Sequence, residues 1–258
     1  VVALHSVAGV LDPSRVFAAR RPFRAPHHTI SQAGLIGGGS GPRPGEVSLA
    51  HCGVLFLDEL LELPRYVLDA MRQPLEDGRV VVARAGGAVT FPARFTLVAA
   101  ANPCPCGRAG TEGGAPCVCS ASDIARYRAR LSGPLADRID LHVAVRAVPP
   151  GELALRTRGE ASAVIRERVA AARERQRRRY ERLPGVHTNA QAPARLLFDA
   201  LSDDPPVAAE CAQLGARASL SARGIDRTLR VARTIADLGG RDRVGIADLH
   251  EALRYRGG

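Results

Sequence analysis

Gly53-Val54-Leu55-Phe56-Leu57-Asp58-Glu59-Leu60 decides the reading of this chain. The apolar run is continuous, which predicts a strand buried on both faces of a parallel sheet. It ends in two adjacent acids. In an open α/β sheet ligands bind at the carboxyl ends of the strands, so both carboxylates fall where chemistry is done. An Asp there can hold Mg2+ through its water shell. The Glu that follows can orient or deprotonate a water attacking a phosphoryl group. The structural alternative is a strand leading into a helix, with Asp58 as its N-cap.

Downstream, Phe95-Thr96-Leu97-Val98-Ala99-Ala100-Ala101-Asn102-Pro103 reads as a second buried strand, ending in an amide. Asn102 is neutral and can donate one hydrogen bond while accepting another, which suits it to position a water between Glu59 and a γ-phosphate. Leu131-Ser132-Gly133-Pro134-Leu135-Ala136-Asp137-Arg138-Ile139-Asp140-Leu141 follows. Its Arg138 either pairs on the surface with Asp137 or Asp140, or reaches a neighbouring subunit's nucleotide in a ring. Strands are predicted over 53–57, 79–83, 88–91, 95–99 and 141–145, where β-branched residues are bounded by turn signals. A helix is predicted over 63–73, with Val67, Leu68 and Met71 on one face.

Composition bounds the function. All 36 basic residues are arginine; against 26 acids they leave a formal charge of +10. A Walker A loop needs Gly-Lys-Ser/Thr, so these residues contain no complete P-loop, and lysine Schiff-base chemistry is excluded too. At 46% hydrophobic and 24% charged, the chain reads as globular, and its length suffices for a real core. Aromatic residues are only 4%, with no Trp, which argues against a base-stacking platform. No apolar run approaches the ~20 residues of a membrane span. Val1-Val2-Ala3-Leu4-His5 lacks the basic start of a signal peptide, so a cytoplasmic protein is expected. Met71 is the only methionine, and residues 1–11 are expected to continue an element begun upstream.

Pro149-Pro150-Gly151 marks a boundary between residues 1–150, an α/β body, and 151–258, an all-helical domain. Helices are predicted there over 161–182, 192–202, 206–217, 225–238 and 246–254, with Ser221 or Asp226 as the N-cap of the fourth. Cys104-Pro105-Cys106 and Cys117-Val118-Cys119 are separated by ten residues. Four thiolates can close a tetrahedral Zn2+ site. A disulfide pair would need an oxidising compartment, and free thiols on a surface loop are the third reading. Cys52 and Cys211 read as buried apolar thiols.

Taken in order, these stretches resemble the magnesium-chelatase-like AAA+ family of ComM/YifB type. So do Arg21-Pro22-Phe23-Arg24-Ala25-Pro26-His27-His28-Thr29-Ile30-Ser31, Gly45-Glu46-Val47-Ser48-Leu49-Ala50-His51 and Ala101-Asn102-Pro103-Cys104-Pro105-Cys106-Gly107. The segment from Leu220 to Leu238 looks like that family's lid. The resemblance covers nearly all the chain and implies a truncated AAA+ core followed by a helical lid, without the family's Lon-like domain and Walker A loop. By this resemblance Asp58 and Glu59 match Walker B, Asn102 sensor 1 and Arg138 the arginine finger. Arg223 most nearly matches sensor 2, with Arg227 and Arg230 near the same helical face. It implies a hexameric ATPase using ATP and Mg2+, with DNA as partner and branch migration in natural transformation as its task. It also implies a cysteine insertion over 104–119, a structural zinc staple between sensor 1 and the finger.

DNA contacts are expected first at the hairpin 79–91, with Gly86-Gly87 at its tip. In related ring helicases that hairpin points into the pore, which makes Arg84 the first choice, against the alternative of an arginine that only solvates a turn. Residues 30–45 look like the family's second pore insertion. His27 and His28 could be ligands but suit loop packing better. Eight arginines against three glutamates between Arg166 and Arg182 could bind phosphate, or form a solvated face of local Glu–Arg pairs. Two other readings stand beside a DNA motor. One is the ATPase subunit of a magnesium-chelatase-type metal-insertion complex; the other is a non-hydrolysing DNA-binding or zinc module.

Overall fold

The computed structural model describes residues 1–11, 21–39, 41–84, 87–110, 115–131, 133–145, 148, 151 and 159–256, and of Arg84 the backbone alone. The chain divides into two compact units, Val1–Arg138 and Ile139–Gly258.

The first unit opens with helix α1 (Val2–Val7), whose Leu4 joins the core. Then come β1 (Phe23–Arg24), α2 (Gln32–Ile36), β2 (Gly37–Gly38), β3 (Arg43–Pro44), α3 (Glu46–Leu49) and β4 (Val54–Leu57). After a 3-10 turn at Leu60–Glu62 follow α4 (Arg65–Ala70), α5 (Arg72–Asp77), β5 (Arg79–Arg84), β6 (Gly87–Pro92) and β7 (Thr96–Ala99). Helices α6 (Ala121–Arg128) and α7 (Gly133–Ala136) end it. The helix predicted over 63–73 is therefore two helices broken at Met71. Pro74, which has no N–H to donate back to Ala70, accounts for the break.

Strands β1, β4 and β7 form one parallel sheet in that order, Phe23 opposite Val54 and Leu57 opposite Ala99. Leu55 and Leu57 are buried with Val67, Leu68, Met71 and Leu135. Each such side chain contributes roughly 1.5–3 kcal/mol through burial. Val54 and Phe56 alternate with them and are only half-buried; Phe56 stacks on Phe23 with ring centroids 6.4 Å apart. Full burial thus holds for one face, and the other is only partly covered. The β5–β6 hairpin pairs antiparallel from Arg79–Pro92 to Arg84–Gly87; its tip residues 85 and 86 lie outside the described residues.

The second unit is a helical bundle: α8 (Ser162–Arg179), a 3-10 turn at Asn189–Gln191, α9 (Ala194–Ser202), α10 (Pro205–Arg217), α11 (Ala222–Leu238) and α12 (Ile246–Arg254). Val207, Cys211, Leu214, Leu229, Ala232, Leu249 and Ala252 form its apolar centre. Ser221, rather than Asp226, caps α11: its hydroxyl accepts from the Gly224 N–H at 3.1 Å, starting the helix three residues early. Beside the apolar centre lies a buried acid. Asp237 has no exposed side-chain surface, and accepts from both Arg179 Nη atoms (2.9 and 2.5 Å), Arg233 Nη2 (2.9 Å) and Asn189 Nδ2 (2.9 Å). Burial alone would push its carboxyl up; the hydrogen bonds from Arg179 and Asn189 and the charge of Arg233 outweigh that and hold it below the usual carboxylate range.

The predicted strand over 141–145 does not form. No strand pairs with it among the described residues, and Leu141, Val143 and Val145 are exposed. The His142 N–H instead donates to Tyr255 O at 2.7 Å. This segment therefore packs with the helical unit, and the two compact units divide after Arg138. The α/β core followed by a helical domain agrees with the AAA+ core-and-lid expectation.

Candidate active site

The parallel register brings three loops to one edge of the sheet. Asp58 and Glu59 leave β4, Asn102 follows β7, the neighbouring strand, and His28 follows β1 on the other side. Asp58 is exposed and caps no helix; among the described residues its Oδ1 accepts only from the adjacent Glu59 N–H at 2.9 Å. The N-cap alternative fails on that contact. Glu59 is left-handed, with φ 50° and ψ 44°, which costs a non-glycine residue about 1 kcal/mol or more. The turn is anchored by Leu60 N–H to Ala100 O at 2.8 Å, a bond across to the β7 loop. Glu59 Oε2 lies 2.6 Å from His28 Nδ1. The His27 ring sits 4.1 Å from that of His28 and bonds Thr29 at 2.9 Å. Asn102 is exposed, and among the described residues its side chain makes no hydrogen bond. Loop packing describes His27; His28 does more, since it engages the carboxylate singled out for chemistry.

Arg138 pairs with Glu76, a more distant acid than either of its sequence neighbours Asp137 and Asp140. It donates to Glu76 of α5 and, at 2.5 Å, to Pro134 O, with 14% of its side chain exposed. Two further arginines brace the acidic edge. Arg130 donates to Leu61 O at 2.7 Å, in the turn after Glu59, and Arg128 donates to Pro103 O at 3.2 Å, the residue after Asn102. Both come from α6 or just after it. Tyr127, under the Arg130 guanidinium, is buried, and burial followed by Glu62 pushes its hydroxyl up to about 12.

The four cysteines converge. Their sulfurs all lie within 4.8 Å of one another; Cys104–Cys106 is 3.4 Å, Cys104–Cys117 3.7 Å and Cys106–Cys117 3.6 Å. A tetrahedral zinc with bonds of about 2.3 Å sets its sulfurs about 3.8 Å apart, so this donor set fits Zn2+. None of the cysteines is in a disulfide. Backbone N–H groups of Val118 and Arg108 lower the Cys106 thiol to about 6. A backbone bond from Cys106 lowers Cys119 in turn, but burial and the other three thiols outweigh it and push it up to about 12. Four thiolates this close repel, which a dication reverses. Cys211 is buried as expected; Cys52 is exposed, at a left-handed turn with φ 62°.

Residues 1–153 match the family model described as magnesium chelatase, subunit ChlI, and residues 159–256 that of its C-terminal part. The chain belongs to this magnesium chelatase ChlI family. It is 46% identical to the uncharacterised protein Rv2897c of Mycobacterium tuberculosis over 99% of this chain and 50% of that one. It is 47% identical to competence protein ComM of Haemophilus influenzae over 92% of this chain and 45% of that one. To the uncharacterised protein YifB of Escherichia coli it is 43% identical, over 92% of this chain and 46% of that one. The chain thus spans about half the length of the curated relatives it matches.

In this family member the lid arginines have different surroundings. Arg223 is exposed in the first turn of α11. Arg227 Nη1 lies 2.5 Å from Asp140 Oδ1. Arg230 is committed to the fold, pairing with Asp226 and donating to Asn189 O, Ala190 O and Ala192 O. On α8, Arg168 pairs with Glu160, Arg175 with Asp242, Arg177 and Arg178 with Glu174, and Arg179 with buried Asp237. Five of the eight arginines therefore have an acidic partner, Arg177 and Arg178 sharing Glu174, which favours the solvated face over a phosphate track. The side chain of Arg84 lies outside the described residues.

His28, Glu76, Arg128 and Arg130 were not legible beforehand. A two-residue strand gives no periodicity, so nothing along the chain places His28 beside β4. No sequence pattern links Arg138 to Glu76 sixty-two residues earlier.

Proposed function

We propose that this chain carries the hydrolytic elements of an ATP-driven, ring-forming AAA+ motor that acts on DNA in the cytoplasm. The observation that carries the reading is the meeting of Asp58-Glu59 and Asn102 at the ends of hydrogen-bonded neighbouring strands, with His28 on the Glu59 carboxylate. Asp58 helps hold Mg2+ through its water shell. Glu59 takes the proton of the attacking water, Asn102 orients that water, and the bond from the γ-phosphorus to the bridging oxygen breaks as ADP leaves. Glu59 has to turn from His28 to do this. Arg138, released from Glu76, acts in trans on a neighbour's γ-phosphate in a hexamer, and Arg223 or Arg227 reports nucleotide state from the lid. Mg2+ supplies charge neutralisation for the phosphates. Zn2+ at Cys104, Cys106, Cys117 and Cys119 is structural, keeping the loop after Asn102 in place alongside the Arg128–Pro103 bond. Arg84 contacts DNA from the hairpin.

Similarity to a competence protein at 47% identity and a net charge of +10 support DNA as the partner. The test is ATP hydrolysis by the whole protein, with and without branched DNA, for wild type and Glu59→Gln. The whole protein is needed because these 258 residues contain no lysine to grip the phosphates. DNA-stimulated hydrolysis lost in Glu59→Gln is the expected result; hydrolysis that survives the substitution overturns the Glu59 assignment. The family description favours one second reading, the ATPase subunit of a metal-insertion complex. Stimulation by a porphyrin-binding partner and not by DNA would establish it instead.

A further inference from the structure

We propose that the cleft formed by His51, Arg79, Thr90 and Arg94, at the base of the β5–β6 hairpin, binds a phosphodiester group of a nucleic-acid strand. The proposal rests on the DNA reading above and adds a contact at the end of the hairpin away from Arg84. The cleft has a volume of roughly 540 Å3, and Asp77, Gly78 and Pro92 complete its wall.

Its frame is built by backbone bonds between distant segments. The Arg94 N–H donates to His51 Nδ1 at 3.0 Å, the Cys52 N–H to Arg94 O at 2.7 Å, and the Ala93 N–H to Gly78 O at 2.8 Å. Because His51 Nδ1 accepts, the ring proton sits on Nε2, which remains a donor. Burial first, then nearby positive charge that includes Arg94, keeps this imidazole below its ordinary value, so it serves as a neutral donor at pH 7. Gly78 is left-handed at φ +65°, and a Cβ there would lie 2.7 Å from Arg94 Cγ. Glycine at this turn therefore lets the Arg94 stem lie across it.

Charge decides the ligand. Several other arginines of this unit face carboxylates: Arg24 pairs with Glu46, Arg72 with Asp69, Arg130 with Glu62 and Arg138 with Glu76. Among the described residues the guanidinium groups of Arg79 and Arg94 have no hydrogen-bond or ion-pair partner. Two such groups, an imidazole N–H and a hydroxyl around one cleft are a donor set for a phosphate oxygen. Asp77 opposes a dianion more than a monoanion, which favours a diester over free phosphate. Arg79 also heads the outward row of β5, in which Val81 and Ala83 are exposed while Val80 and Val82 alternate inward. That exposed row runs from the cleft toward the Arg84 end of the hairpin.

The test is the salt dependence of binding to a labelled single strand by the whole protein and by its Arg79→Ala/Arg94→Ala variant. Loss of two phosphate contacts lowers the slope of log K against log salt by about 1.4, at about 0.7 per contact. The Arg79→Lys/Arg94→Lys variant keeps both charges and should recover most of the slope, which separates this effect from misfolding. An unchanged slope in the alanine variant overturns the cleft and leaves the DNA reading standing. Wild-type protein that binds no DNA overturns both. The His51 imidazole resonance should shift with the oligonucleotide and not with inorganic phosphate at matched ionic strength; saturation by inorganic phosphate would make this a free-phosphate site and overturn the assignment.

Discussion

Two carboxylates show how the same functional group serves opposite ends in the two units. Asp237 has no exposed side-chain surface and takes hydrogen bonds from Arg179, Arg233 and Asn189. Glu59 stands at the open edge of a sheet, in a left-handed conformation, with His28 on one oxygen. An acid saturated with buried partners cannot change its contacts without a large penalty, so it can hold helices together and do little else. An acid with few partners, held in a strained turn beside a neighbouring strand, can exchange them for water and a nucleotide. Accessibility and unfilled hydrogen-bonding capacity, more than charge, separate the two roles.

The largest effect that bears on this contrast is expected at Glu59. Glu59→Gln should reduce ATP hydrolysis by the whole protein on the order of 10²–10⁴-fold, the usual contribution of a general base, while thermal unfolding shifts little. Asp237→Ala should do the reverse. It strands Arg179 and Arg233 and costs about 3–5 kcal/mol of stability, measured by urea unfolding of the wild type and the variant. The same carboxylate sets a pH dependence. Its folded pKa is depressed, so its stabilisation is present above the unfolded carboxylate value of about 3.9 and is lost as pH falls through the folded value. Acid unfolding of Asp237→Asn should be correspondingly less steep. A steep acid transition kept in that variant would break the comparison.

Smaller effects sharpen it. Removing metal with a strong chelator should release stoichiometric zinc and loosen the loop after Asn102, read as faster hydrogen exchange at Cys104 to Gly107 than in untreated protein. Retention of that protection without metal would count against the zinc staple. The smallest effect is expected for Arg227→Ala: its pair with Asp140 is partly exposed and should contribute under ~1 kcal/mol, with any larger change confined to nucleotide-dependent rates.

Much of the sheet was legible because buried β-branched runs bounded by turns carry their own signal. Strands β4 to β7 fall within a residue or two of expectation. Residues 141–145 carry the same pattern and form no strand, because a strand also needs a partner edge, and this segment bonds Tyr255 instead. Likewise β1 is two residues long, too short for any period, so the His28–Glu59 pair was invisible before folding.

The residues by themselves determined which chemistry is available. They contain no lysine, two acids and an amide at the ends of buried strands, and four cysteines in two close pairs, and no folding outcome could alter that list. Only the tertiary structure decided who meets whom: His28 with Glu59, Arg138 with Glu76, four sulfurs around one point, and two arginines around one cleft. Local propensity acts over a few residues, whereas those pairings depend on strand register and long-range packing, which no window of sequence contains.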